Sequence, residues 1–383
     1  ISTISFMQMN GYFDHAATTK PSQAALARYQ EVARTYWGNP SAKYPEGQRA
    51  HTLLEEIRTS IATMLAILPN ELIFTSGATE ANDIIFQSLL WRLNPGEVII
   101  SGIEHSSVIQ QQRLLEQRGW KVITLRAPNG FVQGEELAKA LTPQTRLVSI
   151  MSLNNAVGTL QNMSALNQVV RQYEQTTQRP IHFHSDATQH LGKLPISLHE
   201  WDVDSASFSA HKFHGPRGVG FLYNRNQGVE NLSRGGGQEG GLRGGTENLA
   251  GIAAMEVALK ETLQNQAEAI QHVTELNTLL RNELAPPVTI LTPKKNASPY
   301  IITVATPLPA EVAVRMLSDR GFSVSSGSAC SSNARSKGER VLEVMDINPH
   351  DRSGAIRISF GLENSVEETR NLAQAINQIA KEM

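Results

Sequence analysis

Lys212 stands in the run Ser207-Phe208-Ser209-Ala210-His211-Lys212-Phe213-His214-Gly215, directly after a segment that reads as a strand. Lysine is ordinarily a solvated surface residue. Held instead among cations and apolar walls, its proton affinity falls and the amine can form a Schiff base with a carbonyl. Ser209 and His211 beside it can donate to a phosphate. A second run, His184-Ser185-Asp186-Ala187-Thr188-Gln189, ends another strand. Ligands of open α/β sheets bind outside the carboxyl ends of the strands, and Asp186 falls there. Its carboxylate can pair with a cationic ring nitrogen, and Gln189 can bond a phenolic oxygen. His182 and His184 share one strand face, a spacing some metal sites use. No third ligand of matching pattern follows, so ordinary hydrogen-bonded side chains are the simpler reading and no metal is expected. The third run is Ser76-Gly77-Ala78-Thr79-Glu80, between a strand and a helix. Backbone N–H groups at such a helix start, with the Thr79 hydroxyl, make an anion site, although a plain capping turn has the same sequence.

The three runs explain one another if one cofactor carries an aldehyde, a phosphate and a pyridine nitrogen. That cofactor is pyridoxal 5'-phosphate. A fourth run, Val324-Ser325-Ser326-Gly327-Ser328-Ala329-Cys330-Ser331-Ser332, holds the one cysteine of the chain. A lone cysteine is commonly a small buried hydrophobe. The apolar context for that is missing here, so Cys330 reads as a reactive thiol. Other chemistries lack their motifs: there is no GxxxxGK[ST], GxSxG or HExxH, and Gly215–Gly220 has the wrong spacing for a dinucleotide fingerprint.

The elements that must position these residues follow from the hydrophobic pattern. Strands are expected at Glu71–Thr75, Glu97–Ser101, Lys121–Arg126, Arg146–Ser152, Pro180–Ser185, Asp204–Ser209 and Gly218–Tyr223. Helices are expected at Thr79–Trp91, Ser106–Arg118 and Met163–Gln175. Strands alternating with helices imply a mostly parallel sheet covered on both faces, hence an α/β, three-layer αβα domain. A glycine-dense loop follows at Arg234–Gly245, with seven glycines in twelve residues. Beyond it one long helix is expected from Asn248 to about Leu284. Strands at Tyr300–Ala305 and Ala355–Phe360 and helices at Ala310–Asp319 and Ser365–Glu382 make a smaller α+β unit. Ser365 and Glu368 form a capping box. The expected domains are 15–258, and 1–14 with 259–383. The 383 residues suffice for a large core without disulfides or structural metals. A formal charge of −2, from 34 Lys+Arg and 36 Asp+Glu, speaks against nucleic-acid binding as the main role. The longest apolar runs, such as Val98–Ile100, are far short of a membrane span. Residues 1–10 do not resemble a signal peptide, and the missing initiator Met reads as trimming. A single thiol fits a reducing, cytoplasmic setting.

At these residues the chain resembles the cysteine desulfurases, fold-type I enzymes of the class V aminotransferase-like group. The resemblance runs over about residues 12–380. It rests on Asp14-His15-Ala16-Ala17-Thr18-Thr19, Gly38-Asn39-Pro40-Ser41, Thr75–Glu80, Glu104-His105 and Asn154-Asn155-x-x-Gly158. His184–Gln189, Ser209–Gly220, Gly235–Glu239, Arg243-x-Gly245-Thr246-Glu247-Asn248, Ser325–Cys330 and Gly354–Gly361 complete it. The stretch between Cys330 and Val341 resembles the group with a long mobile cysteine loop.

The resemblance implies that Lys212 carries the cofactor and that His105 stacks on its ring and moves protons. Asp186 would hold the ring nitrogen and Gln189 the ring hydroxyl. Ala78, Thr79, Ser209 and His211 would hold the phosphate, with Thr246 donated by the neighbouring subunit of a homodimer. Asn155 would lie near ring and substrate, and Arg357 with Asn39 would bind the substrate carboxylate. The implied reaction takes L-cysteine to L-alanine, with sulfur passing to Cys330 as a persulfide and then to an acceptor such as an iron–sulfur scaffold. Selenocysteine lyase or β-lyase activity is the alternative within the same fold. His15 stands where the family usually has Asn, and Ala156-Val157 where it has Glu-Ile, differences that bear on substrate fit. The chain ends at Met383, short of the tail with which some relatives dock the scaffold.

Overall fold

The computed structural model describes residues 11–225, 228–232, 235–326 and 337–382, the side chains of 337–339 excepted. Its centre is a seven-stranded sheet in the spatial order Leu72–Thr75, Gly220–Asn224, Ser205–Ser209, His182–Asp186, Thr145–Ser149, Glu97–Ser101, Lys121–Leu125. Gly220–Asn224 runs antiparallel to both neighbours, and the remaining pairs are parallel.

Alternation along each strand builds the two faces. Ile99, Val148, Phe183 and Phe221 enter one apolar cluster with the helices of that side. Val98, Ile100, Leu147 and Leu222 enter another on the opposite face. Burial on both faces is why Glu97–Ser101 and Gly220–Asn224 carry the continuous apolar runs Val98–Ile100 and Phe221–Tyr223 rather than alternating ones. The expected Glu97–Ser101 strand is observed unchanged, and the others differ by at most three residues at an end.

Two helices with no counterpart in the sequence reading, Gln23–Thr35 and Pro45–Met64, pack beside this sheet against the helix Leu249–Gln264. The long helix expected over 248–284 is two, Leu249–Gln264 and Gln266–Glu283. Asn265 breaks it: its side-chain amide donates to the Glu261 carbonyl at 2.9 Å, competing with helix continuation. The packing partner changes there too, because Gln266–Glu283 lies against Val366–Ile379. Those two helices and Ala310–Asp319 line a four-stranded antiparallel sheet, Ser325–Ser326, Ala355–Ser359, Ile301–Ala305 and Thr289–Ile290. Ser365 and Glu368 form the expected capping box. Among the described residues no helix is long and apolar enough to cross a membrane.

Part of the glycine-dense loop serves a structural need. Leu72–Thr75 is an edge strand, and its Phe74 N–H donates to Glu239 at 2.7 Å. Glu239 in turn pairs with Arg58 at 2.6 Å. Close approach explains another glycine: a Cβ on Gly220 would lie 2.3 Å from the Phe208 carbonyl oxygen and 2.7 Å from Gly77 Cα. Gly220→Ala is therefore expected to cost about 1–3 kcal/mol in a urea melt. A wild-type curve would show that the Gly77 turn yields without cost.

Candidate active site

The carboxyl ends of the parallel strands assemble the site. Thr75 leads into Ser76 and Gly77, whose φ of +148° a side chain rarely adopts, and then into the helix Ala78–Ser88. The Ala78 N–H donates to Ser209 Oγ at 2.8 Å, so the ends of two strands meet at this helix start. Ser209 is buried and Thr79 exposed. Ala78 and Ser209 thus meet at this helix start, with Thr79 next to them in the chain.

Asp186 ends its strand buried, with Oδ1 accepting from the Thr188 N–H at 3.1 Å and Oδ2 from Asn82 at 3.2 Å. Asn82 organises this part of the site. Its Oδ1 meets His184 Nε2 at 2.9 Å and accepts from Ser207 Oγ at 2.5 Å. Its amide donates to Ser107 Oγ at 2.8 Å, and Ser107 Oγ lies 2.9 Å from His105 Nδ1. Asp186 and His105 are therefore tied through one buried amide. The sequence reading passed over Asn82. Its signal was a polar residue beside Ala81, Ile84 and Ile85 on the buried face of a helix. His182 and His184 both bond Ser205 Oγ at 2.7 Å. Burial pushes their pKa values down to about 4 and about 3, so both are neutral near pH 7.

Lys212 follows Ser209 on the turn Ala210–Lys212, and its Nζ donates to the Ala16 and Ala17 carbonyls, each at 2.7 Å. Gln189 Nε2 donates to the same Ala16 oxygen at 2.8 Å. His211 Nδ1 lies 3.1 Å from Thr18 Oγ1. Burial, then Lys212, Lys193 and Arg217, bring the His211 pKa down to about 4. Arg357 reaches in from the second sheet. It pairs with Asp14 at 2.7 Å and donates to the Asn155 carbonyl at 3.0 Å, and its Nε is buried with no hydrogen bond. Ser325 Oγ donates to Asp14 at 2.8 Å. Cys330 itself lies outside the described residues. Asn39 and Thr246 are placed elsewhere: both are exposed and share a hollow with Trp37 and Asn248 that Lys212 does not line.

The chain matches the family described as aminotransferase class-V over residues 11–372. It is 38% identical to a NifS/IcsS protein homolog of Lactobacillus delbrueckii subsp. bulgaricus, across 96% of each chain. It is 32% identical to the cysteine desulfurase IscS of Dictyoglomus turgidum, over 98% of this chain and 96% of that one. It belongs to the cysteine desulfurase family. A solved NifS-like protein superposes with a TM-score of 0.90 at 33% identity, covering 98% of this chain and 100% of the other.

In this family member the residue before His105 is a buried carboxyl. Glu104 Oε1 accepts from Ser101 Oγ and from the Met151 N–H, each at 2.6 Å, while Oε2 is buried without a hydrogen bond. Burial first, with help from the Asp186 charge, pushes its pKa up to about 8. A carboxyl that binds its proton more tightly folded than unfolded stabilises fully below the unfolded value. That stability is lost as pH rises through the folded value. The slope is about 1.4 kcal/mol per pH unit. Glu104→Gln lacks this titration, so its stability relative to wild type should improve by a few kcal/mol between about pH 6 and about pH 8. Parallel stability curves over that range would mean that Glu104 is already ionised in the fold.

Proposed function

We propose that this enzyme converts L-cysteine to L-alanine and carries the released sulfur on Cys330 as a persulfide. The observation that carries this reading is the convergence of Lys212, Gln189 and Arg357 on the 14–17 segment, in a chain whose relatives are cysteine desulfurases. The same residues suit pyridoxal 5'-phosphate. Asp186 is a buried carboxylate at a strand end, and Gly77 leaves a cradle in which a Cβ would stand 3.1 Å from Ser209 Oγ. Arg357 has a buried Nε in want of an acceptor.

When bound, the cofactor supplies an electron sink for the charge left when the substrate Cα proton departs. Lys212 would hold it and receive that proton on Nζ. His105 would stack on the ring, Asp186 would keep the ring N–H in place, and Gln189 would donate to the ring hydroxyl. Ala78, Thr79, Ser209 and His211 would hold the phosphate. Arg357 would bind the substrate carboxylate, with Asn155 beside the ring. A bidentate guanidinium suits a carboxylate. The Cys330 thiolate attacks the substrate sulfur. The new S–S bond forms, the Cβ–S bond breaks with its electron pair left on carbon, and protonation of that carbon gives the methyl group of alanine.

Thr246 is exposed beside Trp37, itself 69% exposed, which supports a homodimer in which the partner subunit's Thr246 completes the phosphate site. From Cys330 the sulfur passes to an acceptor protein, for iron–sulfur cluster assembly or for thiolation of a cofactor or tRNA. The lone thiol fits a cytoplasmic enzyme. We assign residues 15–258 to a cofactor-binding domain and 1–14 with 259–383 to a smaller one. The change of packing partner at Asn265, from Gln23–Thr35 before it to Val366–Ile379 after it, supports that division.

The test is product analysis with L-cysteine and a reductant. Wild type should give alanine and sulfide in equal amounts, Cys330→Ala almost none, and Lys212→Ala a rate lower by about 100-fold or more. Pyruvate and ammonia in place of alanine, with Cys330→Ala still active, would make the reaction a β-elimination.

A further inference from the structure

Lys193 is a buried lysine to which the reaction above gives no part. It lies one helical turn beyond Gln189, where the turn bonds His190 N–H to Ala187 O and Lys193 N–H to His190 O bring both side chains to the same side. Only 5% of Lys193 is exposed. Its Nζ donates to Gln189 Oε1. Among the described residues no carboxylate forms an ion pair with it. The charges that act on it are those of Lys212 and Arg357, and both, with burial, drive its proton affinity down. The amine therefore does not serve as half of a salt bridge. An apolar side chain would fill the same space at lower desolvation cost.

The bond it makes has a directional consequence. The Ala16 carbonyl oxygen can only accept, so the end of the Gln189 amide facing it must be the nitrogen. Lys193 supplies the donor that the opposite end, Oε1, then requires. The same Ala16 oxygen also accepts from Lys212 Nζ. Lys193, Gln189, Ala16 and Lys212 thus form one continuous chain of hydrogen bonds. Without Lys193, Gln189 Oε1 would be left buried and unsatisfied, which costs enough to reorient an amide. A nearby donor is Lys212 Nζ, and a rotated Gln189 would present oxygen to the phenolic oxygen instead of N–H.

We propose that Lys193 is a positioning residue of the cofactor site: by donating to Gln189 Oε1 it holds the amide N–H toward the ring hydroxyl of pyridoxal phosphate. The inference rests on Lys212 and Gln189 holding that cofactor. Its test uses the holoenzyme and two readouts besides turnover: the visible absorbance maximum of bound pyridoxal phosphate and the rate of its loss on dialysis. Lys193→Met should move the band in the same direction as Gln189→Ala and speed cofactor loss by about tenfold. The double variant should match Gln189→Ala within about twofold, because the two residues act as a unit. Lys193→Gln, which keeps an N–H donor, should return the band toward the wild-type position, as no purely packing role would require. A wild-type band and release rate in Lys193→Met, or effects of the two substitutions that multiply, would overturn the proposal. If Lys193→Met does not fold, Lys193→Gln decides alone: a band at the Gln189→Ala position overturns it. An unshifted band in Gln189→Ala, or covalent trapping of the cofactor by borohydride in Lys212→Ala, would instead show that the cofactor assignment beneath the inference is wrong.

Discussion

Parallel strands all present their carboxyl ends at the same edge of a sheet, and the whole site depends on that constraint. Thr75, Ser101, Ser149, Asp186 and Ser209 end their strands along one edge. The segments that leave them carry Ala78, Glu104 and His105, Asn155, Gln189 and Lys212. Residues more than a hundred positions apart become neighbours because the sheet aligns where their strands stop. The one antiparallel strand, Gly220–Asn224, keeps the alignment by having no side chain where Gly77 crosses it.

The second constraint is charge. Lys212, Lys193, Arg357 and a neutral His211 crowd one region, with Asp14 the carboxylate paired to Arg357 and Asp186 held apart by Asn82. Burying so many cationic groups is unfavourable unless anions join them. A phosphate and a substrate carboxylate are such anions, so the arrangement suits the cofactor and amino acid assigned to it. His182 and His184 are kept neutral by burial, which lets His184 act as a hydrogen-bonding link and adds no further positive charge.

Most of the architecture was legible in the sequence, because strands buried on both faces leave apolar runs that turn residues punctuate. The motif residues Lys212, Asp186 and Gln189 stood out because polar groups at strand ends need a reason to be there. The break at Asn265 was not legible, since an asparagine inside a helical pattern is tolerated or disruptive according to what packs on either side. Asn82 and Lys193 were passed over for a related reason. An isolated Asn or Lys is ordinary in a sequence, and only its burial makes it informative.

Sequence alone determined the succession of the seven central strands, the lysine and the carboxylate at strand ends, and the family, because periodicity and local motif are properties of neighbouring residues. Tertiary structure decided which groups share a partner: that Asn82 ties Asp186 to His105, that Ala16 accepts from both Lys212 and Gln189, and that Arg357 meets Asp14. It also placed Asn39 and Thr246 together on an exposed face away from Lys212. Hydrogen bonds reach about 3 Å and join residues whatever their separation in the chain. No local pattern encodes them, and they exist only once the sheet has brought its ends together.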